Sequence, residues 1–219
     1  MASALKQLDG LNPGIIFFAS GVANSKASNY GDFNREKNLL SSFTGTERTL
    51  IYFSTMSVYD DTRNSSSYVQ HKLEMENLVS AFSSYVIFRL PEVVGASKNK
   101  TTLINFLYEK ITTESSFELW KDAKRNLIDI RDVTSQINDI LKSEVNRNCI
   151  INICSDRDHL VSEIVQTLEK ITDQKAKFRV VEKILPPGES DGSILQGKFT
   201  FVIETNDSYL EYTLRKYYD

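Results

Sequence analysis

Two pairs in the chain place a tyrosine four residues before a lysine: Tyr68 with Lys72 in YVQHK, and Tyr212 with Lys216 in YTLRK. Residues four apart share one face of a helix, so the ammonium of each pair can sit near the phenol. A nearby cation favours phenolate and lowers a pKa that starts at about 10, which lets the tyrosine shuttle a proton near neutrality. With ten tyrosines in the chain, one chance match is unsurprising. Context separates the two. Tyr68 opens a helical pattern downstream of an apolar run that ends FSTMSVYD, where Ser54 and Thr55 offer hydroxyls at the end of a strand. Such a hydroxyl can hydrogen-bond the substrate oxygen that gains or loses the proton, and doubly wound sheets hold ligands at strand C-terminal ends. Tyr212 has no comparable neighbour; with Tyr209, Tyr217 and Tyr218 it reads as the packing face of a C-terminal helix.

The elements that must position Tyr68 and Lys72 are legible as apolar runs. IIFFAS (15–20), TLIYFS (49–54) and YVIFRL (85–90) are continuous rather than alternating. Between them lie segments with helical spacing, 32–43 and 66–82. Continuous strands separated by helices predict a parallel sheet covered on both faces. A short helix is expected over 3–9, stopped by Gly10 and Pro13. Beyond Gly95 the order changes: a helix (101–112), strands at 117–120 and 126–130, a helix at 131–143, then CIINIC (149–154) and a helix at 159–171. FRVVE (178–182) and KFTFVIE (198–204) flank PPGESDGS, a flexible loop by composition. The predicted fold is α/β, with an incomplete doubly wound, Rossmann-like parallel sheet over 1–95. A smaller C-terminal α/β substrate lobe follows over 96–219, with strands partly returning to the sheet.

Composition narrows the function classes. The 219 residues hold 41% hydrophobic and 25% charged residues, an ordinary globular balance. A net charge of -3 argues against nucleic acid, whose phosphates call for clustered Lys and Arg. No apolar run approaches the roughly 20 residues of a membrane span, and MASALKQLDG lacks the apolar core of a signal peptide. The two cysteines, Cys149 and Cys154, are five apart in one strand and so on opposite faces, which argues against a disulfide. His71 and His159 are the only histidines, too few for a zinc cluster. The expectation is a soluble cytoplasmic protein without a metal.

Taken in order, the motifs from residue 14 to 172 resemble the extended short-chain dehydrogenase/reductases, the NAD-dependent epimerase/dehydratase family. IIFFASG is similar to the family's fourth strand and its small-residue turn beside the cofactor, which implies Ala19, Ser20 and Gly21 as cofactor contacts. FNREKNLL resembles the helix that carries an Asn before a Leu-Leu pair, implying a role for Asn34. FSTMSVYD puts Thr55 at the catalytic hydroxyl position, and YVQHK supplies the Tyr/Lys pair. The resemblance implies that Tyr68 is the acid/base and that Lys72 holds the nicotinamide ribose while lowering the tyrosine's pKa. VIFRLPEVVG is similar to the turn near the nicotinamide, implying Pro91 and Val93, with Glu92 where many members carry an Asn near the substrate phosphate. KRNLIDIRDV implies Arg125 as a ligand of a sugar nucleotide's pyrophosphate.

The family begins with a strand and a Gly-x-x-Gly-x-x-Gly turn that cradles the dinucleotide pyrophosphate at a helix N-terminus. No such turn occurs here, so the chain is expected to start just before the family's fourth strand, lacking about the first three βα units. Thr55 is followed by Met56-Ser57, not by the Asp-Glu pair of the 4,6-dehydratases, which argues against a dehydratase. The resemblance thus implies an NAD- or NADP-dependent sugar-nucleotide epimerase or reductase, in a truncated form that by itself is expected to bind the dinucleotide weakly or not at all. The alternative is a non-catalytic binding or interaction module that keeps the fold and has lost the cofactor site. The implied partners are a small-molecule nucleotide sugar and a second copy of the chain, paired through the helices at 32–43 and 66–82.

Overall fold

Leu50, Ile51 and Tyr52 are consecutive and all fully buried, so the strand that carries them is covered on both faces. In the computed structural model, which describes residues 1–5, 13–24, 30–60, 66–97, 99–143, 147–182 and 199–219, this strand lies inside a five-stranded sheet. The elements in chain order are α1 (Ala2–Leu5), β1 (Ile15–Phe18), α2 (Tyr30–Ser41), β2 (Thr49–Thr55), α3 (Ser67–Ser80), β3 (Tyr85–Leu90), β4 (Glu92–Val94), α4 (Leu103–Thr112), β5 (Phe117–Trp120), β6 (Lys124–Asp129), α5 (Ile130–Lys142), β7 (Cys149–Ser155), β8 (Asp158–Leu160), α6 (Val161–Thr172), β9 (Phe178–Val181), β10 (Phe199–Ile203) and α7 (Tyr209–Tyr218). A 3-10 turn, Met56–Tyr59, follows β2 directly.

The sheet order is β1-β2-β3-β7-β10. Strands β1, β2, β3 and β7 pair in parallel, with Ile51 opposite Val86 and Phe88 opposite Ile151. The predicted Rossmann-like parallel sheet is therefore present, and α2 and α3 supply its covering layer. Beneath them Leu40, Met75 and Val79 meet Phe18, Leu50, Tyr52 and Ile87.

The chain divides into two compact units. The first comprises Met1–Leu90, Arg131–Ile153 and Gly188–Phe201; the second comprises Pro91–Ile130, Cys154–Pro187 and Val202–Asp219. The second unit has its own core, with Ile104, Leu107 and Ile111 of α4 against Ile164, Val165 and Leu168 of α6 and Leu210 and Leu214 of α7. Its strands are short: β4 pairs in parallel with β6, β6 antiparallel with β8, and β5 in parallel with β9. The C-terminal aromatics lie on a helix, and Tyr209, Tyr217 and Tyr218 pack against this core as expected, whereas Tyr212 is exposed and does not. The short N-terminal helix is described only to Leu5, and the loop PPGESDGS lies outside the described residues.

Candidate active site

Helix α3 begins where its sequence allows. Ser66 is the N-cap, its Oγ accepting a hydrogen bond from the Val69 amide at 3.2 Å. This start puts Tyr68 in the first turn, followed on the same face by Lys72 and Glu76 at intervals of four. All three are buried, among Val69, Met75 and Val79. Four helical residues rise about 6 Å, close to the roughly 6.6 Å between alternate residues of a strand. The row on α3 therefore matches Tyr52 and Ser54, which point from one face of β2. Lys72 Nζ donates to the Tyr52 hydroxyl at 2.9 Å, and Ser54 Oγ donates to Glu76 Oε1 at 2.5 Å.

Around Lys72 the hub is Glu36 of α2, whose side chain is fully buried. Its two carboxylate oxygens accept from the Val22 amide (2.6 Å), the Tyr52 hydroxyl (2.7 Å), His71 Nε2 (2.9 Å) and Lys72 Nζ (3.3 Å). The His71 ring stacks on Phe33 at 4.2 Å between centroids. Burial pushes the Glu36 carboxyl up, but Lys72, Val22, Tyr52 and His71 together outweigh it and hold the pKa below its ordinary value. Lys72 goes the other way: burial lowers its pKa, and the carboxylates Glu36 and Glu76 only partly offset that. Burial, then the charge of Glu36, push the Tyr52 phenol well up; Tyr68 adds to the same effect, so the two phenols are within electrostatic reach.

Glu76 anchors a second network beside the first. It takes Arg89 through two bonds, from Nε at 3.0 Å and Nη2 at 2.6 Å. Arg89 Nη1 donates to the Tyr59 hydroxyl at 2.6 Å, and Tyr59 donates in turn to Asn152 Oδ1 at 3.2 Å. The two carboxylates, Glu36 and Glu76, are thus matched by two cations, Lys72 and Arg89, inside the first unit.

Thr55, half-buried at the end of β2, caps the 3-10 turn by accepting from the Ser57 amide at 3.1 Å. That leaves its O–H proton to donate elsewhere. The turn after β1 is drawn onto the same place. Val22 packs with Tyr68 and Val69, and Gly21 lies so close that a Cβ there would stand 2.8 Å from both Glu36 Oε1 and Lys72 Nζ. Ala19 is half-buried and Ser20 exposed, the Ser20 carbonyl accepting from Arg35 Nη2 at 3.2 Å.

Gly21, Tyr68 and Lys72 are therefore brought together, with Thr55 at the end of the adjoining strand. Asn34 is not: it is exposed on α2, and the residue that turns inward from that helix is Glu36. Pro91, Glu92 and Val93 are half-buried at β4 in the second unit. Arg125 lies in the same unit on β6, where Nη1 donates to the Lys124 carbonyl at 2.6 Å. The Tyr212/Lys216 pair, its ammonium 5.9 Å from the centre of the tyrosine ring, differs from the first in its surroundings. Tyr212 is 65% exposed, while Lys216 and Tyr217 both bond the Asp129 carboxylate, Tyr217 at 2.8 Å. Sequence reasoning missed Glu36, His71 and Glu76. A signal for Glu36 existed, since Phe33, Glu36 and Leu40 follow helical spacing and put the carboxylate on the apolar stripe.

No protein-family model matches the chain, and no curated protein does. Solved structures do. UDP-glucuronic acid 4-epimerase from Bacillus cereus, in complex with UDP-glucuronic acid and NAD, superposes with a TM-score of 0.71 at 19% identity, over 99% of this chain and 77% of that one. UDP-glucose 4-epimerase from Thermus thermophilus, in complex with NAD, gives 0.64 at 15% identity over 92% and 73%. RMD from Pseudomonas aeruginosa, complexed with NADPH, gives 0.65 at 15% identity over 94% and 81%. The chain has the Rossmann-like fold of the NAD-dependent sugar-nucleotide epimerases, the extended short-chain dehydrogenase/reductase fold.

Proposed function

We propose that the protein acts on a nucleotide sugar as an NAD- or NADP-dependent epimerase or reductase. The observation that carries the reading is the row of Tyr68 and Lys72 on the buried face of α3, beside the side-chain-free Gly21 turn and one strand end from Thr55. The donor set suits the ribose end of a nicotinamide cofactor. Glu36 and Tyr52 take bonds from the Lys72 ammonium, which has three N–H groups, and a phenol shares its helix face. Lys72, Tyr68 and the turn Ala19, Ser20 and Gly21 are the residues that would hold it; the resemblance also assigns Pro91 and Val93 to the cofactor. The cofactor supplies hydride acceptance and donation.

In this reading Tyr68 takes the proton from a sugar hydroxyl as it becomes a carbonyl and returns it on reduction. The Lys72 ammonium favours the phenolate that does so. Thr55 donates a hydrogen bond to the same sugar oxygen. Arg125 and Glu92 of the second unit are the proposed contacts to the nucleotide's phosphates and sugar. Among the described residues no helix is long and apolar enough to cross a membrane. A homodimer through the outer sides of α2 and α3 goes with the reading, although those sides carry mostly polar residues such as Asn38, Glu74 and Asn77, with Tyr30 and Leu39 the exposed large hydrophobics.

One observation favours a second reading, a binding module without catalysis: Lys72 is only 3% exposed and already paired inside the chain. Calorimetric titration with NAD, NADP and a panel of UDP-hexoses separates the two. Turnover of a UDP-hexose at high concentrations of NAD or NADP is the result expected, with only weak cofactor binding because no Gly-x-x-Gly-x-x-Gly turn occurs in the sequence. Sugar binding without any cofactor binding would transfer the case to the second reading.

A further inference from the structure

The chemistry assigned to Tyr68 depends on where Lys72 is and whether it is charged. Lys72 is buried on α3 and has no route to solvent for its charge, so something inside the chain must stabilise the ammonium. The groups that bond it or act on its charge are Glu36 from α2, Tyr52 from β2 and Glu76 from its own helix, on which Tyr68 lies one turn before it and His71 beside it bonds Glu36. Of the two carboxylates, Glu76 is committed to Ser54 and, through two bonds, to Arg89. Glu36 is the one that bonds the Lys72 ammonium directly, and it also accepts the Tyr52 proton, so that the Tyr52 oxygen can accept from Lys72. Glu36 is itself fixed from two further sides, by the Val22 amide and by His71, whose ring is stacked on Phe33.

We propose that Glu36 is a positioning residue of this site: together with Tyr52 it holds the Lys72 ammonium, charged and in one place, on the face it shares with Tyr68. The inference rests on the function proposed above. Position and charge have a common origin here. The carboxylate that orients the ammonium is also the one that keeps a proton on it at depth. His71 and the Val22 amide prevent Glu36 from swinging away, and Tyr52 extends the hold to the second N–H of Lys72. The Gly21 turn closes over the pair, where any side chain would strike both atoms of the bond.

The test compares the wild-type full chain with Glu36→Gln and Glu36→Asp, each first shown to be folded by circular dichroism. Nitrogen NMR of isotope-labelled lysine follows the titration of Lys72 Nζ, a readout independent of any activity. Steady-state turnover of a UDP-hexose with NAD or NADP is measured against pH in parallel. Glu36→Gln keeps the shape and loses the charge, so Lys72 should release its proton at a lower pH than in wild type. The limb of the pH–rate profile that depends on Lys72 should move in the same direction. Turnover should fall on the order of 10- to 100-fold, with KM for the sugar little changed, as expected for a displaced catalytic pair. Glu36→Asp keeps the charge and should restore the titration more fully than the turnover. An unchanged Lys72 titration in Glu36→Gln would overturn the proposal, as would a shifted titration with full turnover. A wild-type chain that binds no nicotinamide cofactor would instead sink the proposed function, and the titration would still decide whether Glu36 holds Lys72.

Discussion

Glu36 Oε1 lies 3.3 Å from Lys72 Nζ, and the two side chains are 0% and 3% exposed. They come from different helices, and Tyr52 of the strand beneath bonds both. A buried pair of this kind is expensive to break on one side only, because the remaining charge is left without water or partner. Glu36→Gln should destabilise the protein by about 3–5 kcal/mol, and Lys72→Met by a comparable amount. The double substitution should cost much less than the two together. Urea unfolding of the four proteins measures the coupling; additive effects would mean that the ion pair contributes nothing.

The same pair predicts how stability varies with acid. The Glu36 carboxyl is held below its ordinary value of 4.5 in the folded chain. Its contribution is therefore present above 4.5 and is lost as pH falls through the folded value. On the alkaline side two effects oppose. Lys72, with its pKa lowered from 10.5, makes stability rise with pH up to that value. Tyr52, raised above 10.0, makes it fall once pH passes 10.0. Thermal unfolding scans on the acid side are thus the cleaner check. The fall in Tm below pH 4.5 should be shallower in Glu36→Gln than in wild type.

Gly21 is the position where a single methyl group reaches the network. An alanine Cβ would stand 2.8 Å from Glu36 Oε1 and equally close to Lys72 Nζ. Both are ends of side chains, but neither can move without breaking a buried bond. Gly21→Ala should cost about 1–3 kcal/mol and lower turnover. Combining it with Glu36→Gln should give less than the sum, since both act on one bond. Independent, additive losses in unfolding experiments would place Gly21 outside the network.

The second Tyr/Lys pair is the internal control. Lys216 is tied to Asp129 and its pKa is raised: burial lowers it, but the bond to Asp129 outweighs that. Tyr212→Phe, at a side chain 65% exposed, should leave turnover unchanged and alter stability by less than about 0.5 kcal/mol. A drop in turnover of the size predicted for Tyr68 would remove the distinction between the two pairs.

Much of the central sheet was legible because β1, β2 and β3 are buried on both faces, so each is an unbroken apolar run flanked by helical spacing. Strands β4 and β8 were not, since three residues carry no periodicity and exist only through pairing with β6. The Tyr68/Lys72 pair was legible from spacing and context. Its partners were not. Glu36 stands between Arg35 and Lys37, a run that reads as a solvated face, and only Phe33 and Leu40, one turn to either side, mark it as inward. Glu76 and His71 were hidden for the same reason: a charged or polar residue is by default exposed, and only tertiary partners reverse that. Asn34, chosen by its place before a Leu-Leu pair, lies two residues from the buried position, about half a turn around the helix.

The most direct test of the central claim is turnover of a UDP-hexose with NAD or NADP by wild type and by Tyr68→Phe. The substitution removes the proton-carrying oxygen and leaves the ring packed against Val22 and Val69. Stability should change by no more than about 1 kcal/mol, while kcat should fall on the order of 10²-fold or more, as general acid–base catalysis is lost. A Tyr68→Phe protein that turns over at nearly the wild-type rate would contradict the account.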